Sequence, residues 1–223
     1  MRPVSNQTWR TAGAVLCLLL VAGEAAAEIC IDANLRFAGP NPSRVSVPSM
    51  QNEASAIWEP YGVHIQWLPA RDASRCPWVH GSFDVLVEDQ PSSAGTASRI
   101  VLGSTHVMPA RIDRVPIFVD YDETAQLLES LPESQLFSLL GHPEIGPIDL
   151  GRALGRVLAH EIGHVVLAEP RHQGRGLMRK WFASADLAAR QRWAFTLSRG
   201  EIERLRKREQ ILETLEPLSF RWY

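Results

Sequence analysis

The chain has 223 residues, of which 45% are hydrophobic, and its 23 lysines and arginines stand against 25 aspartates and glutamates, a formal charge of −2. Nothing in that balance supports a nucleic-acid-binding surface, and the length suits one domain with a substantial core or one domain with a helical tail.

Residues 1–27 read as a secretory signal: Arg2 and Arg10 make a positive start, residues 12–23 an apolar core, and Ala25, Ala26 and Ala27 a small-residue cleavage site. The apolar core is shorter than the roughly 20 residues that span a bilayer. Cleavage after Ala27 is therefore expected, giving a secreted or periplasmic protein with no stable membrane insertion. Cys17 lies in the apolar core without a lipobox before it. Cys30 and Cys76 survive cleavage, and in an oxidising compartment their expected fate is a disulfide. A competing role for Cys30, as a thiolate capping a metal, lacks a separate pro-segment around it.

Residues 28–35 alternate as a first strand, broken by Pro40 and Pro42. Residues 47–58 can form a helix with Ser46 as its cap. Residues 63–68 alternate as a second strand, so the opening unit is strand, helix, strand, which favours a sheet with a crossover helix. Residues 83–87 read as a third strand, 99–107 as a weaker fourth and 115–120 as a fifth. Pro116 requires a strand start or an edge nearby. A Ser/Gly/Ala-rich loop is expected over 90–98, and a long polar connection over 130–147.

From Asp149 the pattern turns helical, with Leu150, Leu154, Val157, Leu158, Ile162, Val165 and Val166 on one broad apolar stripe. Asp149 can cap this helix and Pro170 ends it. A helical stretch over 184–194 and another from Ser198 follow. Ser198 and Glu201 have capping-box spacing, and the charge-rich run 201–209 reads as a solvated helix.

The long helix carries His160-Glu161-Ile162-Gly163-His164. Histidines four apart share one helical face and can reach one ion, while Glu161 can hold a water beside it. Zinc prefers four tetrahedral ligands and a catalytic site keeps one for water, so a third protein ligand must come from a returning chain. His172 is the preferred candidate, with Glu169 and Asp186 as alternatives. His64, His80, His106 and His142 have no ligand spacing to the motif and read as structural or exposed, and Trp181 and Phe182 as packing under the site.

With its third His and following Met178, this run resembles the metzincin branch of the zincin metallopeptidases, whose pattern is H-E-x-x-H-x-x-G-x-x-H followed by a methionine turn. The match is partial: Leu167 stands where the family has Gly, Pro170 where it has its third His, and His172 arrives two residues later. Gly176, Leu177 and Met178 look like the methionine turn. The resemblance implies an α+β, zincin-like fold: a twisted, mostly parallel sheet with a crossover helix, an active-site helix and C-terminal helices. Residues 28–182 would be the catalytic domain and 183–223 a helical segment packed on it. It further implies an edge strand above the metal that pairs with an extended peptide, for which residues 99–106 are the candidate. The function so implied is an exported zinc endopeptidase acting on peptide or protein substrates, a zinc-activated water attacking with Glu161 as general base. The alternative is a non-catalytic exported module retaining the fold and metal, against which Glu161 argues, since metal binding alone does not need that carboxylate.

Overall fold

A computed structural model describes residues 28–38, 44–70, 76, 79–88, 101–107 and 112–214. The signal segment and the 90–98 loop lie outside the described residues, as do Arg99 and Ile100 of the expected fourth strand.

Strand β1 (Ile29–Ala38) leads through helix α1 (Val47–Trp58) to β2 (Val63–Trp67), followed by β3 (Gly81–Glu88), β4 (Gly103–Thr105) and β5 (Ile112–Asp120). They form a five-stranded sheet in the order β2-β1-β3-β5-β4. The pairs β1·β2, β1·β3 and β3·β5 are parallel, and β4 alone runs antiparallel to its neighbour, at the edge. The crossover predicted from the first strand, helix and strand is present. Ser46 caps α1 by accepting the Ser49 N–H at 3.3 Å.

Alternation decides which side of each strand meets the helices. Phe83, Val85 and Val87 of β3 are buried while Asp84 is exposed, the period of 2 expected of a pleated strand. These residues join Ile29 and Ile31 of β1 and Ile117 and Val119 of β5 in one core cluster with the apolar residues of α1 and of helix α4 (Pro147–Val166). The Trp58 indole N–H donates to the Ala159 carbonyl at 3.0 Å, pinning α1 to α4. Pro116 lies inside β5 and not at its start, yet the ladder to β4 ends at Ile117, opposite Thr105. The Pro116 carbonyl accepts the Thr105 hydroxyl at 2.9 Å, so the side of Pro116 that lacks an N–H faces the place where β4 has stopped.

Several expectations need correction. The fourth strand is only Gly103–Thr105 among the described residues. The expected connection over 130–147 contains helix α3 (Glu133–Leu140), and a further helix, α2 (Tyr121–Glu129), precedes it directly after β5. Asp120 starts α2 by accepting the Glu123 N–H at 2.9 Å, and Gly141, at φ 83°, ends α3. Helix α4 begins at Pro147, two residues before the expected cap. Asp149 accepts the Gly146 N–H at 3.1 Å from inside the first turn. Rather than one stripe, nearly the whole surface of α4 from Asp149 onward is buried.

Helix α5 spans only Ser184–Ala188. Helix α6 (Arg199–Thr214) has the reciprocal Ser198/Glu201 cap but is not wholly solvated, since Leu205 and Leu212 are buried. The Glu28 main-chain N–H donates to Glu209 at 2.7 Å, tying the start of β1 to this helix. Cys30 and Cys76 form a disulfide that joins β1 to the segment before β3, so Cys30 has no thiolate to offer a metal. No helix among the described residues is long and apolar enough to cross a membrane.

Candidate metal centre

Helix α4 presents His160 and His164 one turn apart, and both are buried. The chain then reverses before Pro170 is reached. The Ala168 N–H donates to the Val165 carbonyl and the Glu169 N–H to the His164 carbonyl, each at 3.1 Å, with Ala168 at φ 48°. This pair of bonds is a Schellman stop with an alanine in the left-handed position usually filled by glycine. The wider return brings back His172, whose Nε2 lies 3.3 Å from that of His164, while the His160 and His164 Nε2 atoms are 3.1 Å apart.

One ligand atom from each of His160, His164 and His172 fits within a 4.8 Å cluster, the single group of this kind among the described residues. Ligands about 2.0–2.1 Å from a tetrahedral zinc stand about 3.3 Å from one another. The chemistry of the donor set also fits a cation. His160 Nδ1 lies 2.7 Å from the Leu177 carbonyl and His164 Nδ1 2.7 Å from the Glu169 carbonyl. A carbonyl only accepts, so both Nδ1 atoms carry the proton and both Nε2 lone pairs face each other across the cluster. Lone pairs so opposed repel, and a metal ion between them resolves the repulsion. Burial holds the His160 imidazole down to about 3, and burial likewise lowers His164, so both are neutral donors at ordinary pH.

Glu161 is buried beside the cluster, and burial pushes its carboxyl up to about 8; a cation on the histidines pulls the other way. Edge strand β4 passes directly over it. A Cβ placed on Gly103 would stand 2.9 Å from Glu161 Cγ, 3.0 Å from its Oε1 and 3.0 Å from the Phe118 carbonyl. Only a glycine lets the strand approach the carboxylate this closely.

The alternative ligands are engaged elsewhere. Glu169 sits against Arg171 and Arg204, at 3.2 and 3.4 Å. Burial raises its carboxyl, but the Arg171 N–H and the two guanidiniums outweigh this and hold it below its usual value. Its contribution to the site is the main-chain oxygen that orients His164. Asp186 pairs with Arg179 at 2.8 Å. Met178 is buried under α4 at Gly163, where a side chain on that residue would collide with the Met178 sulfur. The loop before it closes through the Gln173 N–H to Met178 carbonyl bond of 2.6 Å, and the Leu177 N–H donates to Thr196 at 2.9 Å.

Phe182 meets His160 edge-to-face at 5.2 Å and stacks on Phe195 at 5.3 Å, whereas Trp181 is 55% exposed and faces the cleft. Both line the cleft, and Phe182 also packs against the site. The other histidines have local partners: His64 with Glu59, His80 accepting the Cys30 N–H, and His142 with Glu144 and Asp149. His106 is exposed.

Sequence reasoning missed Arg156, one turn before His160 and fully buried. It bonds Glu53 of α1 at 2.8 Å and donates to the carbonyls of Asp186, Leu187 and Gln191, and its guanidinium lies 4.8 Å from the Phe195 ring. An arginine on an otherwise apolar stripe was the available signal. Gly103 carried none, because its meaning depends on a neighbour 58 residues away in sequence.

A cleft of about 370 Å³ lies over these groups. One wall is Val101, Leu102 and Gly103; the other is His172, Lys180, Trp181 and Phe182. No family model matches the chain, and no curated protein matches it. Among solved structures, it is similar to archaemetzincin from Methanopyrus kandleri, with a TM-score of 0.46 and 16% identity over 86% of this chain and 99% of that one.

Proposed function

We propose that the chain is an exported zinc-dependent endopeptidase whose metal is held by His160, His164 and His172. The observation that carries this reading is the convergence of three imidazole nitrogens, two of them locked by carbonyls into the tautomer that leaves Nε2 free to bind. Zinc in that position supplies a Lewis acid that polarises a carbonyl and acidifies water.

The protein's own groups do the rest. Glu161, next to His160 and at the cleft, takes a proton from the water that attacks the peptide carbonyl carbon and returns it to the departing nitrogen. Among the described residues, edge strand β4 has no strand partner on one side, and there it can align an extended peptide above this carboxylate by main-chain bonds. Phe182 holds the His160 ring edge-on, and Met178 fills the space beneath the turn that joins the two helix histidines. Export accords with the Cys30–Cys76 bridge, because disulfides persist in oxidising compartments.

The test is a peptide-library digest with zinc-loaded wild type and Glu161→Gln. The variant is expected to keep its metal and lose about 10²- to 10⁴-fold in cleavage rate, the usual worth of a general base. Cleavage by Glu161→Gln at the wild-type rate would overturn the reading.

A further inference from the structure

Among the described residues, the lining of the cleft is apolar apart from His160, His172, Glu161 and one further side chain. Leu127 of α2, Val157 of α4 and the exposed Trp181 supply the apolar surface. Lys180 is the one lysine or arginine among the described residues that line it. The neighbouring guanidiniums are already committed, Arg179 to Asp186 at 2.8 Å, and Arg171 and Arg204 to Glu169. Lys180 is exposed and no carboxylate among the described residues pairs with it; its ammonium lies 5.3 Å from the Trp181 ring centroid. Among the described residues lining the cleft, the one acid is Glu161.

We propose that Lys180 is a specificity-determining residue that receives a carboxylate of the bound peptide while an apolar side chain of that peptide lies against Trp181 and Leu127. This rests on the peptidase reading of the same site. A cation on the three histidines adds to the positive potential of the cleft, so an anionic group is drawn in and Lys180 fixes where it ends. A ring beside an ammonium favours this arrangement, because the Trp181 face keeps the flexible stem over the cleft and leaves N–H groups for an incoming anion. The carboxylate has two chemical sources, the free C-terminus of a short peptide or the side chain of an internal Asp or Glu.

The experiment uses the zinc-loaded full chain and three peptides with the same apolar residue: one ending in a free carboxylate, one amidated with an internal Glu, and one amidated with Gln in its place. Binding is read by calorimetry in a Glu161→Gln background, where turnover does not interfere, and cleavage rates are read in the parent protein. In the Lys180→Ala variant, the carboxylate peptides are expected to bind about fivefold more weakly, the size of a rim ion pair, with the neutral peptide unchanged. Lys180→Arg should restore most of the difference, Lys180→Glu should invert the preference, and added salt should shrink it. A free-acid preference alone assigns the terminal carboxylate; a preference for the internal Glu assigns the side chain.

Equal binding of all three peptides to the Glu161→Gln protein with Lys180 in place, or a preference untouched by Lys180→Glu, would overturn the proposal. Carboxylate-selective binding without any cleavage would support Lys180 as a recognition residue while removing the peptidase reading, so the two failures are distinguishable.

Discussion

Two carbonyl oxygens orient His160 and His164, because each accepts a hydrogen bond from Nδ1–H and leaves the Nε2 lone pair facing the cluster. The sequence pattern displayed the two helix histidines and Glu161 plainly, since their spacing follows from the helix period alone. It left Glu169 open as a ligand, because no pattern distinguishes a residue that offers its side chain from one that offers its main-chain oxygen. Glu169→Gln should therefore retain zinc, with the main-chain acceptor intact; metal analysis showing loss comparable to that of His172→Ala would return Glu169 to the ligand set. Gly103 is the sharper residue-scale test. A methyl group there is caught between Glu161 and the Phe118 carbonyl, so Gly103→Ala should lower kcat at least tenfold with zinc content unchanged. A variant with wild-type kcat would show that β4 does not constrain the carboxylate.

Helix α4 is placed by what it buries. Arg156 anchors it to α1 through Glu53, which also receives Arg192 at 2.7 Å, and to the chain around α5 through three carbonyls. Arg156→Ala leaves the buried Glu53 carboxylate with the half-exposed Arg192 alone and strips three carbonyls of their donor, so it should destabilise the fold by about 3–5 kcal/mol in denaturant titration. A loss below 1 kcal/mol would mean that the pair is dispensable. At the far end of the helix, Ala168 holds a positive φ that costs a non-glycine residue about 1–2 kcal/mol. Ala168→Gly relieves this, partly offset by greater freedom in the unfolded chain, so a gain of up to about 1 kcal/mol and a higher Tm is expected. A lower Tm would mean that this turn is not strained. The sequence placed the end of α4 near Pro170 because proline is a visible breaker, whereas a left-handed alanine leaves no trace. Helices α2 and α3 were missed for a different reason. The Asp120/Glu123 spacing and Gly141 were legible, but polar residues from Asp122 to Gln135 hid their short apolar faces.

At the scale of the molecule, parallel strands around a crossover helix set α4 against the sheet, and the antiparallel edge strand completes a cleft over the three histidines. The strand-helix-strand opening and the four longer strands could be read from the sequence; β3 and β5 turn one face toward the core, whereas the first five residues of β1 are buried on both faces. The return of His172 was expected from its spacing but stayed beside Glu169 and Asp186 as alternatives, because loop geometry after a helix depends on tertiary bonds such as Leu177 to Thr196. The Cys30–Cys76 bridge closes a long loop and contributes no atom to the histidine cluster, so reduction should cost about 2–4 kcal/mol of stability and leave metal content unchanged. Metal loss on reduction would tie the bridge to the site. The central claim is that three histidines from α4 and its return loop form one zinc site. The most direct measurement is zinc per chain by mass spectrometry, in wild type beside His172→Ala, both purified without chelator. One zinc per wild-type chain, largely absent from the variant, is the predicted result. A wild-type protein that takes up no zinc even when supplied with it, or a variant that keeps full occupancy, would contradict the account.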